Sequence, residues 1–336
     1  MFRAAIFHIP AIVLLSQLFS SSNTNIFAPV STPAREIHSL ALFVLSITGG
    51  IFVVVGGLLA YAVVKFRRRS NDDGREPAQV FGSTRIESAW TLIPVLIVII
   101  LFLTTAQVIH RIQDAVEPPG TLNVTVVGHQ FWWEFRYPQY GIITANELHV
   151  PLSNFSMARP TFLKLLSADT DHSFWVPRLA GKTEAVPNRV NYDWINPVKA
   201  GLYVGQCNLY CGVQHAHMLL RVYVQSPADF QAWVRQQQQN AVEDPAAASG
   251  RAIFENTACI DCHTVRGTPA DGTFGPDLTH LMSRSTIAAG MLANTPENLR
   301  RWVYDPGAIK PGCEMPDMKL DSQQVDEVVS YLTTLR

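Results

Sequence analysis

Residues 205–218, GQCNLYCGVQHAHM, bring together four side chains that bind soft metal ions. Cys207 and Cys211 are four positions apart, His215 follows four positions later, and Met218 three positions after that. Thiolate and thioether ligands favour Cu(I), zinc or an iron–sulfur cluster. Iron–sulfur clusters usually take four cysteines. Because this stretch offers two, the pattern indicates a site for copper or zinc.

The choice between zinc and copper depends on how many of these side chains take part. The spacing of the two cysteines and His215 is compatible with a structural zinc site, which leaves Met218 without a role. A one-copper blue site uses one cysteine, two histidines and a distant methionine, so a second cysteine suits two thiolates that bridge two copper ions. Each copper then needs about one histidine, and the second must come from elsewhere. The candidates are His129, His149, His172 and His217.

A second metal-binding pattern, CIDCH, occupies residues 259–263. This Cys-x-x-Cys-His spacing is that of c-type haem attachment. The thiols of Cys259 and Cys262 add to the two haem vinyl groups, and the adjacent His263 binds the iron. A redox cysteine pair needs no histidine directly after it, and a zinc site needs further ligands nearby. The stretch therefore predicts one covalently bound haem c.

The iron of this haem needs a sixth ligand, and a methionine thioether suits electron transfer. Met315 in KPGCEMPDM is the first candidate, because it lies on a loop bounded by proline and glycine. Met318 is the second candidate. We expect Met282 and Met291 to pack against other side chains, and the leftover Cys313 to behave as a small buried apolar residue.

The elements that carry these sites begin with a membrane anchor. The chain of 336 residues has a net charge of −1, which does not indicate a nucleic-acid partner. Residues 40–64 and 89–109 contain no charged side chain, and each is long enough for a membrane-spanning helix of about 20 residues. Residues 1–22 have a basic start, an apolar middle and small polar residues after it, and are predicted to be a signal peptide. A short extra membrane helix is the alternative.

Basic residues indicate how the anchor is oriented. The loop between the two spans is rich in lysine and arginine, and such loops lie on the cytoplasmic side. Its basic residues are Lys65, Arg67, Arg68, Arg69, Arg75 and Arg85. We therefore expect a multi-pass protein of the inner or plasma membrane. Everything after about residue 110 would then lie on the periplasmic or extracytoplasmic side.

Two domains are predicted after the anchor. Short runs of alternating polar and apolar residues, separated by turn residues, predict a β-sandwich or barrel over 111–227. Residues 228–248 are predicted to form a helix and a linker rich in glutamine, alanine and proline. Residues 249–336 lack the strand pattern and predict an all-α domain. In its last helix the apolar residues share one face, which we expect in the core.

Both domains resemble known families. Residues 249–336 resemble a class I cytochrome c domain, through CIDCH, GPDL, KPGCEMP and a closing helix. Residues 36–226 are similar to subunit II of haem–copper cytochrome c oxidases, through a transmembrane hairpin over 36–110, RIESAWTLIP, VVGHQFWWEFRYP, DTDHSFWVPRLAGKTEAVPNRVN and GQCNLYCGVQHAHM. This resemblance implies a cupredoxin-like sandwich with a binuclear copper centre, CuA. The implied ligands are His172, Cys207, the Leu209 carbonyl, Cys211, His215 and Met218.

Two residues depart from the family pattern. Leu209 replaces a glutamate whose carboxylate helps to hold Mg²⁺ at the junction with subunit I. Hard cations need oxygen ligands, so we expect no side chain of this chain at such a site. Phe131 replaces a tryptophan through which electrons enter from a soluble cytochrome c, and Trp132 and Trp133 remain beside it. Glu87 corresponds to an acid at the mouth of a proton channel in subunit I; a solvated charge at a helix start is the alternative.

The combination of anchor, copper domain and cytochrome domain resembles subunit II of a caa3-type oxidase. That resemblance implies electron transfer from a cytochrome c donor through haem c and CuA to haem a of subunit I. There, haem a3–CuB reduces O2 with proton pumping, so no catalytic residue lies in this chain. The implied partners are subunits I and III, the donor and membrane lipid, with no nucleic acid. The alternatives are a haem–copper nitric oxide reductase subunit and, in another class, a copper-binding assembly protein, against which CIDCH argues.

Overall fold

The computed structural model describes residues 24–67, 76, 79, 81–153, 159–242 and 244–336. Residues 35–115 form one compact unit, and the residues before and after them form a second. The predicted signal peptide at 1–22 lies outside the described residues, as do Arg68, Arg69 and Arg75 of the basic loop.

The first unit is built on two long apolar helices. They are α1, Thr32–Lys65, and α2, Thr84–Gln113, with mean hydropathies of 2.4 and 2.7 over their most apolar windows. Both are long enough to cross a bilayer, and their apolar side chains are exposed, so the prediction of two transmembrane helices is confirmed. Glu87 lies in the first turn of α2, where its carboxylate accepts a hydrogen bond of 3.3 Å from the Ser83 backbone N–H.

Ten strands of the described part of the chain form the β-sandwich of the second unit. They are β1 Leu122–His129, β2 Trp132–Tyr137, β3 Ile142–Ala145, β4 Glu147–Pro151, β5 Thr161–Ser167, β6 His172–Trp175, β7 Thr183–Ala185, β8 Asn191–Ile195, β9 Gly201–Cys207 and β10 Leu219–Gln225. One sheet has the order β3-β2-β1-β5-β8, and the other has the order β4-β10-β9-β6-β7.

In the long strands of the sandwich, buried side chains alternate with partly exposed ones. In β10, Leu220, Val222 and Val224 are buried and the residues between them are partly exposed, as expected where one face of a sheet meets the core. Strands β3, β6 and β7 have only three or four residues. Runs this short show too little alternation to be predicted from sequence.

The remainder of the second unit is mainly helical. Its helices are α3 Pro227–Gln237, α4 Ala248–Glu255, α5 Cys259–Cys262, α6 Pro296–Tyr304, α7 Pro306–Ile309 and α8 Ser322–Leu332. Helix α4 crosses α8, where the Phe254 and Tyr331 rings lie 5.6 Å apart. The predicted apolar face of α8 is buried. Two strands of two residues each, β11 Thr286–Ile287 and β12 Leu292–Ala293, pair in a loop that sequence periodicity could not reveal.

Candidate metal centres

Strand pairing assembles the first candidate metal centre. Cys207 is the last residue of β9 and pairs with Phe174 of β6, and β6 begins at His172. The His172 ring therefore reaches the end of β9, with its Nδ1 atom 3.9 Å from Cys207 Sγ. A short 3₁₀ turn, His215–His217, then closes the loop that follows Cys207.

The loop after β9 adds the other predicted ligands. Cys211 Sγ lies 3.9 Å from Cys207 Sγ, 3.7 Å from His215 Nδ1 and 3.9 Å from Met218 Sδ. The Leu209 carbonyl oxygen lies 3.2 Å from Cys207 Sγ. The structure thus brings together all six residues that the resemblance implies, and both cysteines, His172 and Met218 are buried.

The spacing of the two sulfurs fits shared metal ions. At 3.9 Å they are too far apart for a disulfide of about 2.05 Å. A thiolate binds a comparable soft ion, zinc, at about 2.3 Å. Because half of the sulfur–sulfur distance is shorter than such a metal–sulfur bond, one ion can contact both sulfurs. Two ions, one on each side of the sulfur pair, can therefore share both thiolates. One imidazole lies beside each sulfur, which fits a pair of soft ions.

The other histidines have different surroundings. His149 stacks between the Tyr223 and Trp233 rings. His129 stacks on Trp132 at 4.2 Å between ring centroids. His217 Nδ1 shares a hydrogen bond of 2.7 Å with Gln214 Oε1.

Two residues that sequence reasoning did not single out orient His172. Asp169 Oδ1 lies 2.7 Å from His172 Nε2, which leaves Nδ1 directed at Cys207. A Cβ atom on Gly128 would lie 2.7 Å from the His172 ring, so only glycine allows β1 to approach this closely. The D-x-x-H spacing of 169–172 is the signal that could have identified Asp169 from sequence.

The thiols of this centre influence each other's protonation. Hydrogen bonding from Cys211 holds the pKa of Cys207 far below its ordinary value of 9.0, and the same interaction raises the pKa of Cys211. A thiolate is the form that binds metal ions. The lowered pKa of Cys207 therefore favours the metal-binding thiolate at this position.

The second candidate centre is a mostly apolar cavity around the Cys-x-x-Cys-His stretch. Cys259, Cys262 and His263 line it together with Met315 and Met318. The His263 Nδ1–H group donates a hydrogen bond of 2.8 Å to the Pro276 carbonyl, which leaves Nε2 available for a metal. Burial lowers the pKa of His263, which favours the neutral imidazole that binds iron.

The cavity also has features that fit the rest of a haem. Gly275 packs against the His263 ring, where a Cβ atom would lie 2.7 Å away, so the ring is held in place. The Arg284 Nε–H group is buried and has no hydrogen-bond partner, and Arg284 lines the cavity. An unpaired buried guanidinium N–H suits a carboxylate such as a haem propionate.

The structure brings both candidate methionines to this cavity. Met315 and Met318 are partly buried in its wall, so the prediction of Met315 over Met318 stays a prediction. Met282 packs against the core of the helical domain. Cys313 also lines the cavity and is partly buried, and burial raises the pKa of its thiol.

One side of the haem cavity is formed by the sandwich domain. Gln130, Phe131 and Trp132 line it from there. The Gln130 side-chain amide also donates a hydrogen bond to the Cys211 carbonyl. Of the three aromatic residues predicted to lie where electrons enter, Phe131 and Trp133 are buried, and the Trp133 ring meets the His172 ring edge-on at 5.9 Å.

Lys310 joins the two domains beside this wall. Its ammonium donates hydrogen bonds of 2.8 Å to the Phe131 carbonyl and 3.0 Å to the His217 carbonyl. Burial lowers the pKa of Lys310 to about 8, against the opposing influence of Cys313 and Cys211. No motif predicted this residue, because its sandwich acceptors lie 179 and 93 positions away in the chain.

Family comparisons cover nearly the whole chain in three consecutive matches. Residues 20–108 match the family described as "Cytochrome C oxidase subunit II, transmembrane domain". Residues 122–225 match "Cytochrome C oxidase subunit II, periplasmic domain". Residues 247–336 match "Cytochrome c".

Two curated relatives match most of the length of the chain. The chain is 35% identical to the cytochrome c oxidase subunit 2 of Bacillus sp. (strain PS3) over 334 residues, which cover 92% of each chain. It is 31% identical to that of Alkalihalophilus pseudofirmus over 332 residues, 96% of this chain and 94% of the relative. A crystal structure of the periplasmic domain of subunit II of cytochrome oxidase from Bradyrhizobium japonicum matches 37% of this chain and 97% of its own, with 26% identity and a TM-score of 0.34.

Proposed function

The chain belongs to the cytochrome c oxidase subunit II family, and we propose that it passes electrons from its own haem c to its own two-copper CuA centre, and from there to haem a of subunit I. It is a subunit of an oxidoreductase complex with a fused cytochrome c domain, and it takes part in electron transfer in a haem–copper oxidase. Oxygen reduction and proton pumping would lie in subunit I.

One observation carries the proposed order of electron transfer. Gln130 lines the cavity around Cys259, Cys262 and His263, and its side chain hydrogen-bonds the backbone of Cys211 in the sulfur cluster. A single residue therefore contacts both candidate centres. Phe131 extends the same wall and is buried between the domains, which supports direct transfer from haem to copper.

Each set of residues has a distinct task in this proposal. When bound, haem c and copper would supply one-electron redox chemistry without proton transfer. Cys207, Cys211, His172 and His215 would hold the copper. The Leu209 carbonyl and Met218 would be the weak ligands. The buried, closely packed position of these residues limits rearrangement on electron transfer.

The residues that would hold the haem also have distinct tasks. Cys259 and Cys262 would hold the haem covalently, and His263 and Met315 would be the ligands of its iron. Thioether ligation raises the reduction potential, which suits a haem that accepts electrons from an external cytochrome c. The apolar cavity limits contact of the haem with water, which also affects the potential.

The apolar helices anchor the protein in a membrane, and the periplasmic-domain match places the copper domain on the extracytoplasmic side. Association with subunit I follows from membership of the family. We further propose that both helices span the inner or plasma membrane, that subunit III and lipid are additional neighbours, and that Glu87 marks the mouth of a proton channel. The absence of a carboxylate at Leu209 argues against a side-chain contribution to a Mg²⁺ site.

Metal analysis and spectroscopy test the proposal on the full chain produced with haem attachment and copper. We expect one covalent haem and two coppers per chain, with an EPR signal in which one unpaired electron is shared by both coppers. A mononuclear blue-copper spectrum, or two bound zinc ions, would contradict the proposed CuA centre. A chain without covalent haem would contradict the proposed order of transfer.

A further inference from the structure

Lys310 is a charged side chain buried at the contact between the two domains. Only 3% of its surface is exposed, and none of the ion pairs among the described residues involves it. Its ammonium is instead surrounded by three carbonyl oxygens. Those of Phe131 and His217 belong to the sandwich, at 2.8 and 3.0 Å, and that of Ala288 belongs to the helical domain, at 3.4 Å.

The energetics of this arrangement favour one docking position. Burying an ammonium without enough acceptors is costly, and the gain from charged hydrogen bonds roughly offsets that cost when the acceptors are well placed. Two of the three acceptors are supplied by the sandwich. If the helical domain slid to another position, Lys310 would lose these acceptors while remaining covered. A buried charge of this kind disfavours alternative arrangements more than it adds net stability.

Further contacts on both sides of Lys310 are compatible with a single position of the helical domain on the sandwich. The Gln214 side-chain amide donates a hydrogen bond of 2.8 Å to the Pro311 carbonyl. Around the edge of the same interface, Ser285 donates from its backbone N–H and its hydroxyl to Glu147 Oε1, at 2.8 and 2.7 Å. Glu147 is 2% exposed, so this carboxylate also relies on the docked domain for its partners.

We propose that Lys310 is a positioning residue that holds the haem domain in one register on the copper domain. This inference rests on the proposed electron transfer from haem c to CuA. In this register Gln130 and Phe131 remain the wall of the haem cavity, and the sandwich surface at Phe131 is covered. An external donor would therefore deliver its electron to the haem rather than directly to the copper domain.

The test uses the full chain loaded with haem and copper, and compares Lys310→Met with wild type. A photoexcited ruthenium dye supplies one electron to haem c, and optical spectroscopy follows its transfer to copper. We expect transfer at least about tenfold slower and multiphasic in the variant, because misplacement by about 1 Å can slow a reaction by as much as about a hundredfold. Amide hydrogen exchange in 128–133 and 213–218 should increase in the variant.

Lys199→Met is the matched control, because Lys199 is exposed on the sandwich away from these contacts. Lys199→Met should leave the rate of electron transfer from haem to copper and the amide hydrogen exchange at wild-type values. Should Lys310→Met fail to fold, Lys310→Gln decides. Its side-chain amide keeps a hydrogen-bond donor without the charge and cannot satisfy all three carbonyls, so it should produce the same changes in smaller measure.

Unchanged transfer and exchange in the deciding variant would overturn the inference. Slower transfer with unchanged exchange would also overturn it, because Lys310 would then act on the energetics of the centres rather than on domain position. These outcomes differ from a failure of the proposed function, which would appear as a missing haem or copper spectrum in the wild-type chain.

Discussion

Asp169 and His172 form a carboxylate–imidazole pair at the edge of the sulfur cluster, with Asp169 Oδ1 2.7 Å from His172 Nε2. Burial alone would raise the pKa of Asp169. The His172 contact and the backbone N–H groups of Thr170 and Gln130, each at 2.6 Å, together lower it. The carboxylate is therefore ionised at neutral pH and fixes the proton of the ring on Nε2. Nδ1, which faces Cys207, is left free to bind a metal.

Replacement of this carboxylate should weaken copper binding. We expect Asp169→Ala to lower copper affinity by about 10- to 100-fold, the usual effect of removing a partner that orients a metal-binding histidine. Competition with a copper chelator measures the change. Asp171→Ala is the control, because Asp171 is exposed nearby. Equal affinities for wild type and Asp169→Ala would show that the carboxylate does not orient the ligand.

The two-thiolate bridge predicts a specific failure in Cys207→Ser. A hydroxyl is a poor ligand for soft ions, so one bridge is lost. We expect no more than one copper per chain and loss of the EPR signal of an electron shared by two coppers. Cys313→Ser, which changes the one cysteine that belongs neither to the copper loop nor to the Cys-x-x-Cys-His stretch, should keep two coppers. A Cys207→Ser protein with two coppers and an unchanged spectrum would rule out the bridge.

The two methionines of the haem cavity should respond differently to substitution. We expect Met315→Ala to lose the spectrum of a methionine-ligated low-spin haem and to lower the potential by about 0.1 V or more, within the roughly 0.8 V range that axial ligands control. Met318→Ala should keep both properties. The reverse result in redox titration and optical spectra would assign the ligand to Met318.

His149 predicts a stability change with pH. Burial lowers its pKa to about 4 from 6.5, and the unfolded chain takes up a proton between these values. The free energy of unfolding should therefore fall as pH drops from about 6.5 to 4, by about 3 kcal/mol at roughly 1.4 kcal/mol per pKa unit. Urea unfolding of the sandwich as a function of pH should show this decline in wild type and a smaller one in His149→Phe. Parallel curves would exclude His149 as the source.

The sequence identified side chains that could act as ligands, but not the residues that position them. Cys207, Cys211 and His215 are close in the chain, so their spacing could be recognised, whereas His172 could be chosen among four histidines only through the family resemblance. Gly128 and Lys310 were not foreseen. Their roles depend on contacts 44 and 179 positions apart in the chain, and neither local periodicity nor residue type reports such contacts.

The strands show the same limit. β9 and β10 could be predicted because seven alternating residues reveal a buried face. β6, which begins at His172, has four residues, and three of them are buried, so it shows no alternation. The helical domain was predicted because residues 249–336 lack the strand pattern. The β11–β12 pair was not predicted, because two residues per strand carry no period.

The order in which the two centres are reduced distinguishes transfer through the haem from direct electron entry at copper. The full chain, loaded with haem and copper, is mixed rapidly with a reduced soluble cytochrome c, and the haem c and copper absorption changes are followed together. We expect haem c to be reduced first, and copper reduction to follow after a lag set by transfer past Gln130 and Phe131. Copper reduction without a lag, or ahead of haem c, would contradict transfer through the haem.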